Sequence, residues 1–292
     1  DLVILSVLVR HLYARFGQPV DILASGNWAI PLLRDQPGVG HIYVISSRST
    51  PYWFSKEKQQ LVKQLRERGP SATWLCDHDN RKIKYLLKQA GWNEEYWCHY
   101  ASPPEILGPH FCDLYLKFSY RNPPLLGGID LPLPSDDRYG QLFTNNLQRT
   151  ELKVWLDTKG LNNQKIILIQ PGNKRTMRRG FRRRASNTKY WPEENWAQVL
   201  RSLRQLHPDH AILVLGVPQE SALNDEILQL ATINNAHNVA KELPIQRLIA
   251  LCEIAFGMIS VDTGPAHVAA ATGTNVVTLF GVANPEHYSP RG

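Results

Sequence analysis

The sequence predicts an α/β fold in which parallel strands alternate with helices, arranged as two doubly wound domains. Two observations predict this fold. Short apolar runs alternate with helical patterns through the second half of the chain, and the first half begins with the same alternation. With 292 residues, of which 43% are hydrophobic, the chain is long enough to give each of two domains its own core.

The second half shows the clearest succession of elements. A helix starts at Pro192, where a proline precedes two acidic residues, and ends at His207. This order of strand and helix is typical of a Rossmann-like domain. The other expected elements are strands at residues 166–170, 211–215, 256–260 and 275–280, and helices at 220–230, 245–252 and 266–271.

The pattern in the first half also predicts a Rossmann-like domain, but fewer of its strands and helices can be assigned than in the second half. Prolines, aromatic residues and glycines between residues 92 and 134 predict loops. A helix is expected over 139–161, and the Asn162-Asn163-Gln164 segment after it is the expected hinge, so we place the domains at residues 1–160 and 161–292. The first elements are a helix at residues 2–16, a strand at 20–24, a helix at 28–35 and a strand at 41–45.

Composition indicates a cytoplasmic protein. The four cysteines form no Cys-x-x-Cys pair, which favours a reducing compartment and argues against a disulfide framework or a zinc site. No apolar run approaches the roughly 20 residues of a membrane span. We expect no metal and no cofactor. The chain begins at Asp1, without a methionine and within a helical pattern, so we expect a strand and a loop to precede it.

The net charge of +7 comes from one segment. Eight lysines and arginines and no acidic residue lie between Lys174 and Lys189, so the rest of the chain is close to neutral. Such a segment is commonly a solvated loop. Its guanidinium groups, among them Arg182, Arg183 and Arg184, also suit the phosphates of an acceptor or of an anionic membrane. Nucleic acid is not expected, because no binding motif accompanies the charges.

The turn after the strand at 256–260 is the first candidate for a binding site. Ligands of open parallel sheets bind beyond the carboxyl ends of the strands, and residues 262–267 follow such an end. Gly264 lets a ligand approach the backbone, and the amides at the start of the next helix suit a diphosphate. Two simpler interpretations stay open: Asp262 or Thr263 caps the helix, and His267 is a packed core residue.

Residues 260–285, beginning Ser-Val-Asp-Thr-Gly-Pro-Ala-His, closely resemble the signature of glycosyltransferase family 9, the ADP-heptose:lipopolysaccharide heptosyltransferases. Three other pieces stand in the family's order: a strand ending in Pro171-Gly172, the run at 189–196, and the run at 215–220. The resemblance implies the GT-B architecture. Two Rossmann-like domains then face each other across a cleft, and the second domain binds most of the donor nucleotide.

The resemblance also implies roles for single residues. Lys189 would supply a leaving diphosphate with the charge that a metal supplies in other transferases, and no Asp-x-Asp motif lies near the expected donor site. Asp1 matches the expected catalytic base, although it equally suits the N-cap of the first helix. The implied donor contacts are Asn187, Thr188 and Lys189 to the diphosphate, Glu220 to the ribose, and Asp262, Thr263, Gly264 and His267 to the diphosphate and sugar.

The leading hypothesis is therefore an inverting, metal-independent transfer of heptose from ADP-heptose to a lipopolysaccharide core acceptor, with Asp1 and Lys189 as catalytic residues. Peripheral contact with the inner face of the inner membrane is expected if the basic segment binds anionic lipid. Two other hypotheses stay open. The chain is a nucleotide-sugar-binding homologue without transfer activity, or it is a nucleotide-sugar epimerase of the same fold.

Overall fold

The protein forms two compact units, each built from parallel strands and helices. The computed structural model describes residues 2–47, 49–76, 80–99, 110–129, 137–173 and 187–292. The first unit ends at Arg138, and the second spans Tyr139–Gly292. None of the helices in these ranges is long and apolar enough to cross a membrane.

The first unit contains α1 (Leu2–Phe16), β1 (Val20–Ser25), α2 (Ala29–Leu33), β2 (Val39–Ile45), α3 (Lys56–Arg68), β3 (Thr73–Leu75), α4 (Arg81–Gln89), β4 (Trp97–His99) and α5 (Phe111–Ser119). Strand β1 pairs in parallel with β2, and β3 pairs in parallel with β4. One apolar cluster joins α1 to α5 through residues such as Leu8 and Phe118, and another joins β2, α3 and α4 through Ile45, Leu61 and Leu86.

The second unit contains α6 (Asn146–Thr158), β5 (Ile166–Gln170), α7 (Glu193–Leu206), β6 (Ala211–Val214), α8 (Ser221–Ala231), β7 (Ala236–Asn238), α9 (Ile245–Ile254), β8 (Gly257–Val261), α10 (Gly264–Ala271), β9 (Val276–Leu279) and α11 (Pro285–Tyr288). Its five strands form one parallel sheet in the order β7-β6-β5-β8-β9. The strand order reverses between β5 and β8: the chain continues from β5 toward β6 on one side of the sheet and from β8 toward β9 on the other. Such a reversal is the switch point at which open α/β sheets bind ligands.

The central strand, β5, shows why the elements of the second half can be predicted from the sequence. All five residues of β5 are buried, as expected for a parallel strand that is covered on both faces. Ile167 and Ile169 pack in one cluster with Trp196 of α7 and residues of α8. Leu168 between them is also fully buried, and α10 packs on β8 and α9. The predicted doubly wound pattern is therefore confirmed in the second unit.

Several elements differ from the sequence prediction or were not predicted. The helix expected over 139–161 covers only Asn146–Thr158, because Asn145 and Gln148 form a capping box that starts it there. Before it, Leu142 N donates to Ala271 O at 2.8 Å, which holds that segment against α10 instead of in a helix. Helix α5 lies within the stretch expected to be loops, and β7 was not predicted.

Helix α6 belongs by its contacts to the second unit, whereas the sequence interpretation assigned it to the first domain. Trp155 is 8% exposed and donates from Nε1 to Glu242 Oε2 at 2.9 Å. Lys159 Nζ and Arg247 Cζ each lie 5.3 Å from the centroid of the Trp155 ring. Arg149 adds an ion pair with Glu253 of α9 at 2.7 Å. The units therefore divide before α6, not at the predicted boundary near residue 160.

Replacing Trp155 tests this packing. Trp155→Ala removes a buried ring that two cations and Glu242 contact, and it should lower the free energy of unfolding by about 3–5 kcal/mol. The neighbouring Val154 is 58% exposed, so Val154→Ala should change it by less than about 0.5 kcal/mol. Urea unfolding followed by circular dichroism measures both. Equal effects of the two variants would contradict the role of Trp155.

Candidate functional site

The candidate site lies at the carboxyl edge of the five-stranded sheet, where the strand order reverses. Strand β5 ends at Gln170 and leads to Gly172, and the neighbouring β8 ends at Val261 and leads to Asp262. Gln170 Nε2 donates to Gly172 O at 2.8 Å, which fixes the chain as it leaves β5. Parallel strands end at the same edge of a sheet, so the segments after them share this edge.

The turn from β8 into α10 leaves the start of that helix without a side-chain cap. Thr263 occupies the N-cap position with extended backbone, but its hydroxyl makes no capping bond. Its Oγ1 lies 3.2 Å from both Val261 O and Ser260 Oγ instead. Capping by Thr263, one of the simpler interpretations, therefore does not explain this residue. Beyond its chain neighbours and its own helix turn, no atom of the described residues lies within 4 Å of the position that a Cβ on Gly264 would take.

Lys189 and Asp262 form the central ion pair of the site. Lys189 Nζ donates to Asp262 Oδ2 at 2.5 Å and to the backbone oxygen of Asp262 at 2.9 Å. The carboxylate side chain is 8% exposed and the lysine side chain 30% exposed. The pair therefore presents a partly accessible ammonium beside the first turn of α10.

The segment before Lys189 is held by the Asn187 side chain. Asn187 Oδ1 accepts from Lys189 N at 3.2 Å, and its Nδ2 donates to Asn173 Oδ1 at 3.3 Å. Tyr190 N donates to Asn187 O at 2.8 Å and closes a turn around the exposed Thr188. Asn187 thus links the segment that carries Lys189 to the residues that follow β5. Asn173 was not among the predicted site residues.

Gly281 is a second residue that sequence reasoning missed. It follows β9, and a Cβ at this position would lie 1.8 Å from Thr188 O and 2.8 Å from Thr188 C. Real Cβ atoms do not approach backbone atoms this closely, so only glycine lets the two segments meet. Gly281 therefore sets the position of Thr188 and Lys189 relative to the sheet.

Glu220 lies over two glycines at the same edge. A Cβ on Gly172 would lie 2.7 Å from Glu220 Oε1, and a Cβ on Gly216 would lie 2.9 Å from Oε2. Val217 N donates to Oε2 at 3.0 Å, and Oε1 is buried. Burial raises the pKa of the carboxyl group, and hydrogen bonds from Val217 N and from the Gln170 side chain oppose this shift.

His267 is buried within α10 and only 6% exposed. Burial lowers the pKa of its imidazole to about 4, and the nearby Asp262 carboxylate offsets only part of this effect. The ring is therefore neutral at pH 7. This burial agrees with the interpretation of a packed histidine, and any contact with a ligand would be a hydrogen bond to a neutral ring.

Comparison with known proteins identifies the family to which this chain belongs. The family model described as Glycosyltransferase family 9 (heptosyltransferase) matches residues 130–292, more than half of the chain. This chain belongs to glycosyltransferase family 9. It is accordingly a glycosyltransferase, which favours transfer over the epimerase and non-catalytic hypotheses.

Individual family 9 proteins are similar over nearly the whole chain. Lipopolysaccharide heptosyltransferase 2 of Salmonella typhimurium is 22% identical over 307 residues, covering 99% of this chain and 82% of that protein. Lipopolysaccharide heptosyltransferase 3 of Escherichia coli is 26% identical over 278 residues, covering 89% and 73%.

Solved structures confirm the GT-B fold class. The family 9 glycosyl transferase of Veillonella parvula superposes with a TM-score of 0.78 at 16% identity, covering 99% of this chain and 80% of that one. The E. coli ADP-heptose lipopolysaccharide heptosyltransferase II superposes with a TM-score of 0.72 at 19% identity, covering 99% and 84%.

Several predicted site residues of this family 9 chain meet in the structure, and others lie outside the described residues. The structure joins Lys189 to Asp262 and Asn187, and the same edge carries Thr188, Glu220, Thr263, Gly264 and His267. Asp1, Arg182, Arg183 and Arg184 lie outside the described residues, so their roles stay predictions. Within the described ranges, no group of three or more His, Cys, Asp or Glu side chains is arranged to hold a metal ion.

Gly281→Ala tests whether this glycine positions Lys189. The added methyl group must displace Thr188 and Lys189, and a shift of about 1 Å in a catalytic group can lower kcat/KM by on the order of a hundredfold. Gly128→Ala is the matched control, because a Cβ there meets no atom within 4 Å. Steady-state transfer kinetics compare the two, and unchanged kcat/KM in Gly281→Ala would remove its positioning role.

The lowered pKa of His267 predicts an acid-sensitive stability. The unfolded chain, with a histidine pKa near 6.5, binds a proton that the folded chain does not bind until about pH 4. Stability should therefore fall as the pH decreases through this window, by about 3 kcal/mol at most. His267→Gln should flatten the dependence in urea unfolding between pH 7 and pH 4. An equally steep dependence in the variant would assign it to other groups.

Proposed function

We propose that this glycosyltransferase moves a heptosyl group from ADP-heptose to a lipopolysaccharide core acceptor, with inversion at the anomeric carbon and without a metal ion. The observation that carries the proposal is the Lys189–Asp262 pair beside the uncapped start of α10, at the switch point of the sheet. The donor and acceptor are supported by the names of the relatives, lipopolysaccharide heptosyltransferases 2 and 3 and an ADP-heptose heptosyltransferase.

Lys189 suits the charge of a leaving diphosphate. An ammonium group has three N–H donors, and the described contacts of Lys189 Nζ use two of them, both on Asp262. The third donor of this partly exposed group is available for a phosphate oxygen. Asp262 thus holds the ammonium in place before the donor binds, so little ordering of the long side chain is needed at binding.

The start of α10 supplies a second source of positive potential. In the first turn of α10, Pro265 has no N–H and Ala266 N donates to Thr263 O at 3.2 Å, so an anion is favoured by the helix dipole and by the remaining amides at the helix start. The Thr263 hydroxyl turns back to Val261, and open space surrounds Gly264, so a phosphate can approach the backbone. Together with Lys189, this turn balances the diphosphate charge without a metal ion.

Glu220 suits the ribose of the nucleotide. Its Oε1 is a buried carboxylate oxygen beside the Gln170 side chain, and a carboxylate oxygen has lone-pair capacity for a further donor from a ligand. A ribose hydroxyl is such a donor. The absence of side chains at Gly172 and Gly216 leaves room for the Glu220 carboxylate at the ends of β5 and β6.

We propose a chemical step in which Asp1 has the role that the family resemblance implies for it. The acceptor hydroxyl oxygen attacks the anomeric carbon as the bond from that carbon to the diphosphate oxygen breaks, and ADP leaves with its charge balanced by Lys189 and α10. Asp1 takes the hydroxyl proton. A single displacement from the face opposite the leaving group inverts the configuration. Arg182, Arg183 and Arg184 are proposed to contact phosphates of the acceptor core.

Turnover measurements test the proposal directly. Mass spectrometry should detect one heptose added to a heptose-deficient lipopolysaccharide core when ADP-heptose is supplied, at a rate that EDTA does not change. Lys189→Met should lower kcat/KM by on the order of a hundredfold or more. The exposed Lys153 on α6 provides the control Lys153→Met, which should leave the rate unchanged. Absence of transfer in the wild-type protein would refute the proposed substrates.

Two further variants separate donor binding from chemistry. Gly264→Ala adds a Cβ with no atom within 4 Å beyond its own helix turn among the described residues, so it should leave stability nearly unchanged while weakening ADP binding by about tenfold or more, or roughly 1.4 kcal/mol. Asp1→Asn should retain ADP affinity and lose a hundredfold or more in kcat, by the usual scale of general base catalysis. Calorimetric titration with ADP measures the affinities. Equal ADP affinity in Gly264→Ala would move the diphosphate away from α10.

A further inference from the structure

Two asparagines tie three chain segments together at the carboxyl edge of the sheet in the second unit. Asn224 lies in the first turn of α8 and is fully buried. Its Nδ2 donates to Leu215 O at 3.0 Å, and the same atom lies 3.3 Å from Val214 O and 3.2 Å from Asn238 Oδ1. One side-chain amide thus links the start of α8 to the ends of β6 and β7.

Asn238, the last residue of β7, extends this link. Its Nδ2 donates to Asp225 Oδ1 at 2.7 Å and to Ser221 O at 2.9 Å. Its Oδ1 accepts from Ala240 N at 3.2 Å as well as from Asn224. Asn224 and Asn238, which we call the amide pair, therefore join α8 to the segment that leaves β7.

The amide pair borders Glu220, the residue proposed to bind the ribose. Glu220 directly precedes Ser221, whose backbone oxygen accepts from Asn238. The Glu220 carboxylate lies over Gly216, and a Cβ on Gly216 would also lie 3.3 Å from the Cβ of Ala240. The amide pair is therefore bonded to the residue that follows Glu220 and to the residue that lies against Gly216.

The bonds of the amide pair begin where the pairing of β6 with β7 ends. Val214 and Asn238 are the last register partners of these strands, and Leu215 O, to which Asn224 donates, lies one residue beyond them. The two side chains thus continue the connection after the backbone ladder has ended, which fixes the direction in which each segment leaves the sheet. Ligands of open parallel sheets bind at this edge.

Burial of the Asn224 amide has a cost that an apolar side chain would avoid. Its Oδ1 is buried and accepts no hydrogen bond from the described residues, and an unpaired buried acceptor lowers stability. Leucine is close to asparagine in shape and carries no such cost, but it cannot donate to Leu215 O or to Asn238 Oδ1. The amide therefore supplies a fixed geometry between three segments that apolar packing alone does not supply.

We propose that Asn224 and Asn238 are positioning residues for the nucleoside half of the donor site. They act through Glu220: the amide pair fixes the turn that carries its carboxylate, so that the carboxylate meets a ribose hydroxyl without rearrangement. A binding group that is already in place loses less freedom when the ligand binds. The inference deepens the proposed function and rests on it. Loss of the amide pair should weaken the nucleoside contacts and spare the diphosphate contacts at Lys189 and α10.

Two ligands of the whole protein separate the halves of the site. Asn224→Leu should raise the Kd of ADP by about tenfold, but it should leave the Kd of inorganic pyrophosphate, which has no nucleoside, within about twofold of the wild type. Lys189→Met should weaken pyrophosphate binding. Calorimetry measures ADP binding, and phosphorus NMR titration measures pyrophosphate binding. With ADP-heptose, Asn224→Leu should raise KM and change kcat little, because the ribose contact is the same in the ground state and the transition state.

An exchange of side chains tests the link through Asn238. Asn238→Asp brings two carboxylates together, because Asn238 Nδ2 lies 2.7 Å from Asp225 Oδ1, and it should also raise the Kd of ADP by about tenfold. The double variant Asn238→Asp/Asp225→Asn again places a donor opposite an acceptor. Its Kd for ADP should return to within about threefold of the wild type.

The matched control is an asparagine at the opposite, amino end of β7. Asn235 Nδ2 donates to Gln164 Oε1 at 2.8 Å, and Asn235 has a positive φ of 49°. Asn235→Ala removes this bond and strains the backbone, so it should lower the melting temperature, but it should bind ADP as the wild type does. Thermal melting shows that each variant is folded at the temperature of the titrations.

The outcomes separate this inference from the proposed function. Wild-type ADP affinity in folded Asn224→Leu and Asn238→Asp would overturn the positioning role and leave the proposed function intact. An equal loss of ADP and pyrophosphate affinity, or the same loss of ADP affinity in Asn235→Ala, would also overturn it, because the asparagines would then act through general stability. Failure of the wild-type protein to bind ADP would refute the proposed function, and this inference with it.

Discussion

The ion pair between Lys189 and Asp262 joins segments 73 residues apart in the sequence, and the geometry of the candidate site depends on it. Taking two charges out of water is costly, and a well-packed apolar pair in such a place is often no less stable. Lys189 keeps part of its surface, so this pair is better suited to presenting a charge than to holding the fold together. Asn187 and Gly281 fix the lysine segment from two other directions.

The second unit shows which features a single sequence can predict. The apolar run of β5 and the acidic first turn of α7 are local patterns; β5 has the predicted start, and α7 starts one residue after the predicted Pro192, which is its N-cap. The resemblance at residues 260–285 then brought Lys189 and Asp262 to one site, and the structure confirms that they meet. The role of Gly281 was not predicted, because it allows the close approach of two backbone segments that are far apart in the sequence. Periodic patterns in a sequence do not reveal such contacts.

The first unit shows where such reasoning fails. Six of the nine residues of α5 are buried, so the helix lacks the polar stripe that marks an amphipathic helix, and His110, an unusual capping residue, starts it. Strands β3 and β4 have three residues each and alternate too briefly to be distinguished from loops. Glu220 was placed by resemblance, but its burial over two glycines depends on tertiary contacts that the sequence alone does not contain.

The packing of α6 on α9 determines where a chain of this kind can be cut and rejoined. The turn at Asn162-Asn163-Gln164 looks like a natural junction, and Asn163 even adopts a positive φ of 67° there. Recombination at that turn, however, would take Trp155 and Glu242 from different parents, and likewise the packed helices α6 and α9. We therefore expect recombination between relatives to be tolerated ahead of α6, where α6 and α9 are inherited as one piece.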